Sequence, residues 1–101
     1  MIIYNVTIKV SWRIQEDWLQ WMREQHMPAV IATGCFRQYQ LVRMLGVDEE
    51  EGPTYAVQYL ADDIGQYEHY MEQYAAGLRE ESVKKWGDQF IAFRSVMEIV
   101  N

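Results

Sequence analysis

This 101-residue chain carries two imidazoles, His26 and His69, the side-chain type most often used as an acid or base near neutral pH, and one thiol, Cys35, that offers a nucleophile. His26 sits on the apolar side of the first helical pattern, one turn after Met22 and just before Pro28. At a helix end opening onto a cavity, an imidazole can act as general acid or base. In the plainer reading it is a partly buried histidine that hydrogen-bonds the turn at residues 27–30, since no carboxylate or second histidine stands beside it in sequence to complete a catalytic pair. Arg94 lies mid-strand between Ala92 and Val96, where a guanidinium needs an anion: Glu98 on the same strand, an acid of a partner chain, or a bound carboxylate or phosphate. With Asn5 and Gln58 it would orient an anionic group, so His26, Asn5, Gln58 and Arg94 form the candidate ligand-binding set. Gln25 falls near the middle of the same apolar arc as His26, and a buried amide must find hydrogen-bond partners. His69 is placed on a polar helix face.

Other chemistries lack their residues. Neither histidine has a second one within a helical turn, and no Cys/His spacing suits zinc, so no metal site is expected. The acidic run at residues 48–51 lacks the alternating ligands of a calcium loop. No glycine-rich phosphate loop is present, and no cofactor is expected. Ser11, Ser82 and Ser95 have no base nearby in sequence. Cys35, at the start of a strand, reads as a buried and inert thiol.

The elements that must position these residues follow from hydrophobic period. Residues 2–10 alternate as a half-buried strand, with Tyr4, Val6 and Ile8 inward and Asn5 and Thr7 outward. From Ile14 the period becomes helical: Trp18, Trp21, Met22, Gln25 and His26 share an arc, opposite Glu16, Asp17, Gln20 and Arg23. Pro28 is expected to end or kink this helix, leaving residues 29–33 as an irregular turn. Residues 35–45 and 54–61 read as strands joined by an acidic, solvated hairpin loop bounded by Gly46 and Pro53. Asp62 or Asp63 caps a second helix bearing the stripe Tyr67, Tyr70, Met71, Tyr74 and Leu78, with a break or bend expected at Gly77 and an end at Gly87. The stripe reads as core. Trp12, in the first strand-to-helix turn, is a candidate for an entrance. Residues 89–100 form the last strand, with Ile91, Phe93 and Met97 set inward and Arg94 and Val96 outward.

The order β-α-β-β-α-β is the split βαβ, a ferredoxin-like α+β fold: a four-stranded antiparallel sheet with two main helices on one face, in a single domain spanning 1–101. The uncovered face would carry Asn5, Thr7, Ala56, Gln58, Arg94 and Val96, with Phe36, Gln38, Gln40 and Val42 from the second strand. Such a semi-polar face suits a partner sheet enclosing a damp cavity, and a homodimer would extend the burial of a small domain. The other reading leaves these residues as ordinary outward positions. Fifteen acids against nine Lys and Arg give a net charge of −6, which argues against nucleic acid or an anionic membrane as partner. No apolar run is long enough to span a bilayer, and a soluble cytoplasmic protein is expected.

The opening strand residues 1–7, the helix string Trp18 to Met22, the run His26 to Phe36, and the strings Thr54 to Tyr59, Leu78 to Glu81 and Phe90 to Arg94 resemble a small bacterial family of unknown function. That resemblance covers nearly the whole chain and implies a stand-alone domain without an assigned activity. More distantly the layout is similar to the dimeric α/β-barrel superfamily, whose members include cofactor-independent monooxygenases, lactone isomerases, stress-response barrels and haem-using enzymes. No catalytic motif of theirs matches residue by residue, and likeness of topology assigns no function. Two readings stand: a non-catalytic or small-ligand-binding dimer, and a cofactor-independent monooxygenase- or isomerase-like enzyme acting on a small organic compound, with His26 as acid–base. The second requires His26 and Arg94 to meet in one pocket.

Overall fold

The computed structural model describes residues 1–101. Strands β1 (Ile2–Val10), β2 (Gln38–Arg43), β3 (Thr54–Ala61) and β4 (Phe90–Glu98) form one antiparallel sheet in the order β2-β3-β1-β4. Helices α1 (Gln15–Trp21), α2 (Met27–Ala32), α3 (Ile64–Gln73) and α4 (Ala75–Trp86) complete the ferredoxin-like α+β arrangement. Alternation in β1 sends Tyr4, Ile8 and Val10 into a core closed by Trp18, Met22, Met27, Val57 and Tyr59. Asp63 caps α3, its carboxylate accepting from the Gln66 N–H at 2.9 Å. No helix is long and apolar enough to cross a membrane.

The structure corrects the sequence reading at several points. The first helix does not end at Pro28. A π-helical turn, Met22–His26, follows α1, with the Met27 N–H reaching back five residues to the Met22 carbonyl, and α2 then runs through residues 29–32. In a regular helix the Pro28 ring would strike the carbonyl four residues earlier; a widened turn just before it relieves that clash and lets the helix continue. The second helical segment breaks at Tyr74 (φ −127°), not at Gly77, which stays inside α4; the bend brings the small Ala75 into the core. Strand β2 is shorter than expected because Cys35 and Phe36 turn inward. Phe36 packs on Tyr4, Tyr59 and Tyr70 at ring separations of 5.0–5.9 Å, so it is a core residue and not part of the open face.

The largest correction concerns β4. Pairing sets Val6 opposite Arg94, Tyr4 opposite Val96, and Thr7 opposite Phe93. Directly opposed residues share a face. Arg94 and Val96 therefore lie on the helix side of the sheet, and Ile91, Phe93 and Met97 on the open side, the reverse of the expectation. Both faces of this strand carry apolar residues, so alternation alone does not fix its parity, whereas the ladder with β1 does.

The hairpin loop is not simply solvated. Arg43 pairs with Glu49 through contacts of 2.8, 2.9 and 3.2 Å, and the Trp12 indole donates to the Glu49 carbonyl at 2.8 Å. Trp12 thus tacks down the loop and lines no entrance to the cavity described below. Behind it Gly52 and Pro53 are buried against β1, where the Val10 N–H donates to the Pro53 carbonyl.

Candidate functional site

Between the helix face of the sheet and the helices lies a cavity of about 290 Å³. Tyr4, Val6 and Ile8 of β1 form its floor with Val57 and Tyr59 of β3 and Ala92 and Arg94 of β4. Trp18, Met22, His26 and Val30 close one side, and Leu78, Arg79 and Ser82 of α4 the other. Thirteen of its eighteen lining residues are hydrophobic, yet Arg79, Arg94 and His26 all reach it and no Asp or Glu does.

The π-helical turn puts His26 here. It lengthens the local repeat so that residues five apart come onto one face, and the His26 ring stacks on that of Trp21 at 4.9 Å and 25°. Without the extra residue Gln25 would take that inward position. In the structure Gln25 is exposed, which corrects its expected burial and removes its need for buried partners. The Nδ1 of His26 is buried with no hydrogen-bond partner in the chain. Burial, reinforced by the positive charge of Arg94, lowers its pKa to about 4, so the ring is neutral at pH 7.

Arg79 projects from α4 toward β1. Its Nη2 donates to the Tyr4 hydroxyl at 3.2 Å and touches the Met71 sulfur at 3.7 Å, while its Nε–H is buried without an acceptor in the chain. Neither Arg79 nor Arg94 makes an ion pair; the salt bridges of the chain are Arg37–Asp62, Arg43–Glu49 and Lys84–Glu80. Glu98, one of the three anions open to Arg94, does not pair with it. The hydroxyls of Tyr59 and Tyr70 are held neutral, their pKa raised first by burial and then by neighbouring tyrosines. The charges of Arg79 and Arg94 act on Tyr70 in the opposite sense, against the larger effect of burial.

The four residues singled out from sequence thus divide into two pairs. His26 and Arg94 meet in the cavity, as the catalytic reading required. Asn5 and Gln58 lie opposite one another on the other side of the sheet. There Asn5 donates to Thr7 at 3.0 Å and Ser95 at 3.4 Å, and Gln40 donates to Gln58 at 2.9 Å. Arg79 was not singled out, although Ala75, Arg79, Ser82 and Trp86 fall at spacings of four, three and four, a helical stripe with a cation inside it. No group of three or more His, Cys, Asp and Glu side chains gathers to hold a metal ion. Cys35 is buried, with its thiol 3.9 Å from the Thr33 carbonyl.

A family model described as a domain of unknown function (DUF4286) matches residues 1–100. No curated protein matches. Among solved structures the chain is similar to a dimeric ferredoxin-like protein from an uncultured marine organism (TM-score 0.68, 14% identity, 100% of this chain and 96% of that one). It is also similar to an ethyl tert-butyl ether D family protein from Bacillus halodurans (0.66, 12%, 99% and 100%). A third is a putative antibiotic biosynthesis monooxygenase from Deinococcus radiodurans (0.64, 13%, 100% and 94%). At these identities the likeness is one of fold.

Proposed function

The chain belongs to the DUF4286 family, a domain of unknown function, and from that starting point we propose that it is a homodimeric module that binds a small organic molecule in the cavity between its sheet and its helices. The observation that carries this reading is the cavity of about 290 Å³, apolar over most of its wall and set with His26, Arg79 and Arg94. Apolar pockets with a few convergent polar groups are the usual form of a small-molecule site.

The dimer is supported by the open sheet face. Ile91 and Phe93 are 58% and 69% exposed there, with Met97 beside them, and Lys9 is the only charged side chain among its paired positions. Asn5 with Thr7 and Ser95, and Gln40 with Gln58, already share three hydrogen bonds, which lowers the cost of covering these groups. A face with almost no charge and a row of apolar side chains is complementary to itself, as a two-fold interface must be. A structural neighbour is itself described as dimeric.

The catalytic alternative, a cofactor-independent monooxygenase- or isomerase-like enzyme, retains His26 and Arg94 in this cavity without Asn5 and Gln58.

Native mass spectrometry tests the dimer, with twice the chain mass expected and a single-chain mass at micromolar concentration overturning it. A fragment library followed by amide NMR tests the binding reading. Hits are expected to move the resonances of Val57, Tyr59 and Ala92, and a library that moves none of them overturns it.

A further inference from the structure

We propose that the ligand class is a small monocarboxylate with an apolar body the size of one or two rings, its carboxylate set between the guanidiniums of Arg79 and Arg94 and its body against the apolar wall. This rests on the reading of the cavity as a small-molecule site and names what that site selects. Two guanidiniums line one cavity whose wall contains no Asp or Glu, and neither finds an anion elsewhere in the chain. Arg79 is half-buried and Arg94, which lines the same cavity, keeps access to solvent; an anion between them would offset two like charges and meet the buried donor of Arg79. Arg79 offers a buried Nε–H that no acceptor of the chain meets, and a guanidinium fork matches the geometry of a carboxylate. The Tyr4 hydroxyl, already bonded to Arg79, steadies that fork. His26 faces the same space as a neutral ring, so it adds no third positive charge.

Size and wall chemistry separate an organic acid from inorganic phosphate. An apolar cavity of about 150 Å³ holds one benzene ring, so about 290 Å³ admits one ring with a short side chain, or two fused rings. Phosphate would leave the side formed by Trp18, Met22 and Val30 without contact.

The test uses the full chain, with amide NMR titrations of cinnamate, its neutral isostere cinnamamide, and inorganic phosphate. Cinnamate is expected to bind at least tenfold more tightly than the amide, and phosphate more weakly than cinnamate. Arg94→Gln, at a side chain with no partner in the chain, is expected to weaken cinnamate at least tenfold while leaving cinnamamide within twofold. Arg79→Gln is expected to do the same. Because Arg79 also braces Tyr4, the Arg94 variant decides the matter if Arg79→Gln unfolds. Saturation with cinnamate is expected to raise the His26 pKa, read from its imidazole ¹⁵N shifts, since an anion offsets the charge of Arg94. Equal affinity for cinnamate and cinnamamide, or phosphate binding as tightly as cinnamate, overturns the carboxylate clamp while the small-molecule reading survives. Failure of both organic probes, and of benzoate and 2-naphthoate with their amides, at the cavity resonances overturns both.

Discussion

Acidification should destabilise this protein through His26. In the folded chain burial and Arg94 hold its pKa at about 4, against an ordinary 6.5. A lowered folded pKa means that the unfolded chain binds the proton more tightly. The stability linked to this group is therefore whole above pH 6.5 and is lost as pH falls from 6.5 toward 4. A gap of about 2.5 units at about 1.4 kcal/mol each sets an upper bound of about 3.5 kcal/mol, a large share of the roughly 5–15 kcal/mol that holds a domain folded. The assay is urea unfolding between pH 8 and pH 4.5, comparing the native chain with His26→Phe, which keeps a ring against Trp21 but does not titrate. The two chains share every carboxylate and His69, so those contributions cancel in the difference. That difference should be flat above pH 7 and then move by about 2 kcal/mol or more against the native chain. A difference that stays flat to pH 4.5 would refute the burial of a neutral imidazole. One of opposite sign would show that an anion of the chain, not Arg94, faces the ring.

Further outcomes follow from the same packing. Arg94→Gln should raise the His26 pKa, followed by imidazole NMR in a His69→Gln background, yet leave it below 6.5 because burial is the larger cause. Gly52→Ala should destabilise by about 3 kcal/mol or more, measured by urea melts, since a Cβ there would lie 1.7 Å from the Val10 carbonyl oxygen at φ +155°. Asp63→Ala should cost about 1 kcal/mol through loss of the α3 cap, with no change in ligand binding. If the proposed dimer forms through the open sheet face, Phe93→Glu should give a monomer in sedimentation velocity without lowering helix content by circular dichroism, and an unchanged dimer would move the interface elsewhere.

Local pattern determined much of this protein. Strand β1 and strand β3 have one apolar face dictated by alternation, and β3 runs over the residues that the pattern marks. The amphipathic arc from Ile14, the Asp63 cap and the glycine at position 87 follow from side-chain chemistry within a few residues, which sequence records directly. The βαββαβ order, and so the ferredoxin-like fold, follows from those elements. What the tertiary structure alone decided are features whose cause lies far along the chain. Residues of β4 are apolar on both sides, and only its ladder with β1, some ninety residues earlier, turns Arg94 toward the helices and Phe93 away. Pro28 signals a broken helix, yet the widened turn that accommodates it exchanges Gln25 for His26 at the cavity wall. Arg79 has ordinary polar neighbours in sequence; its bond to Tyr4, and its place in the cavity that Arg94 also lines, exist only once α4 has docked on the sheet. Periodicity is a property of one segment and can be read there, whereas a site assembled from β1, the π-helical turn, α4 and β4 depends on how those segments pack against one another.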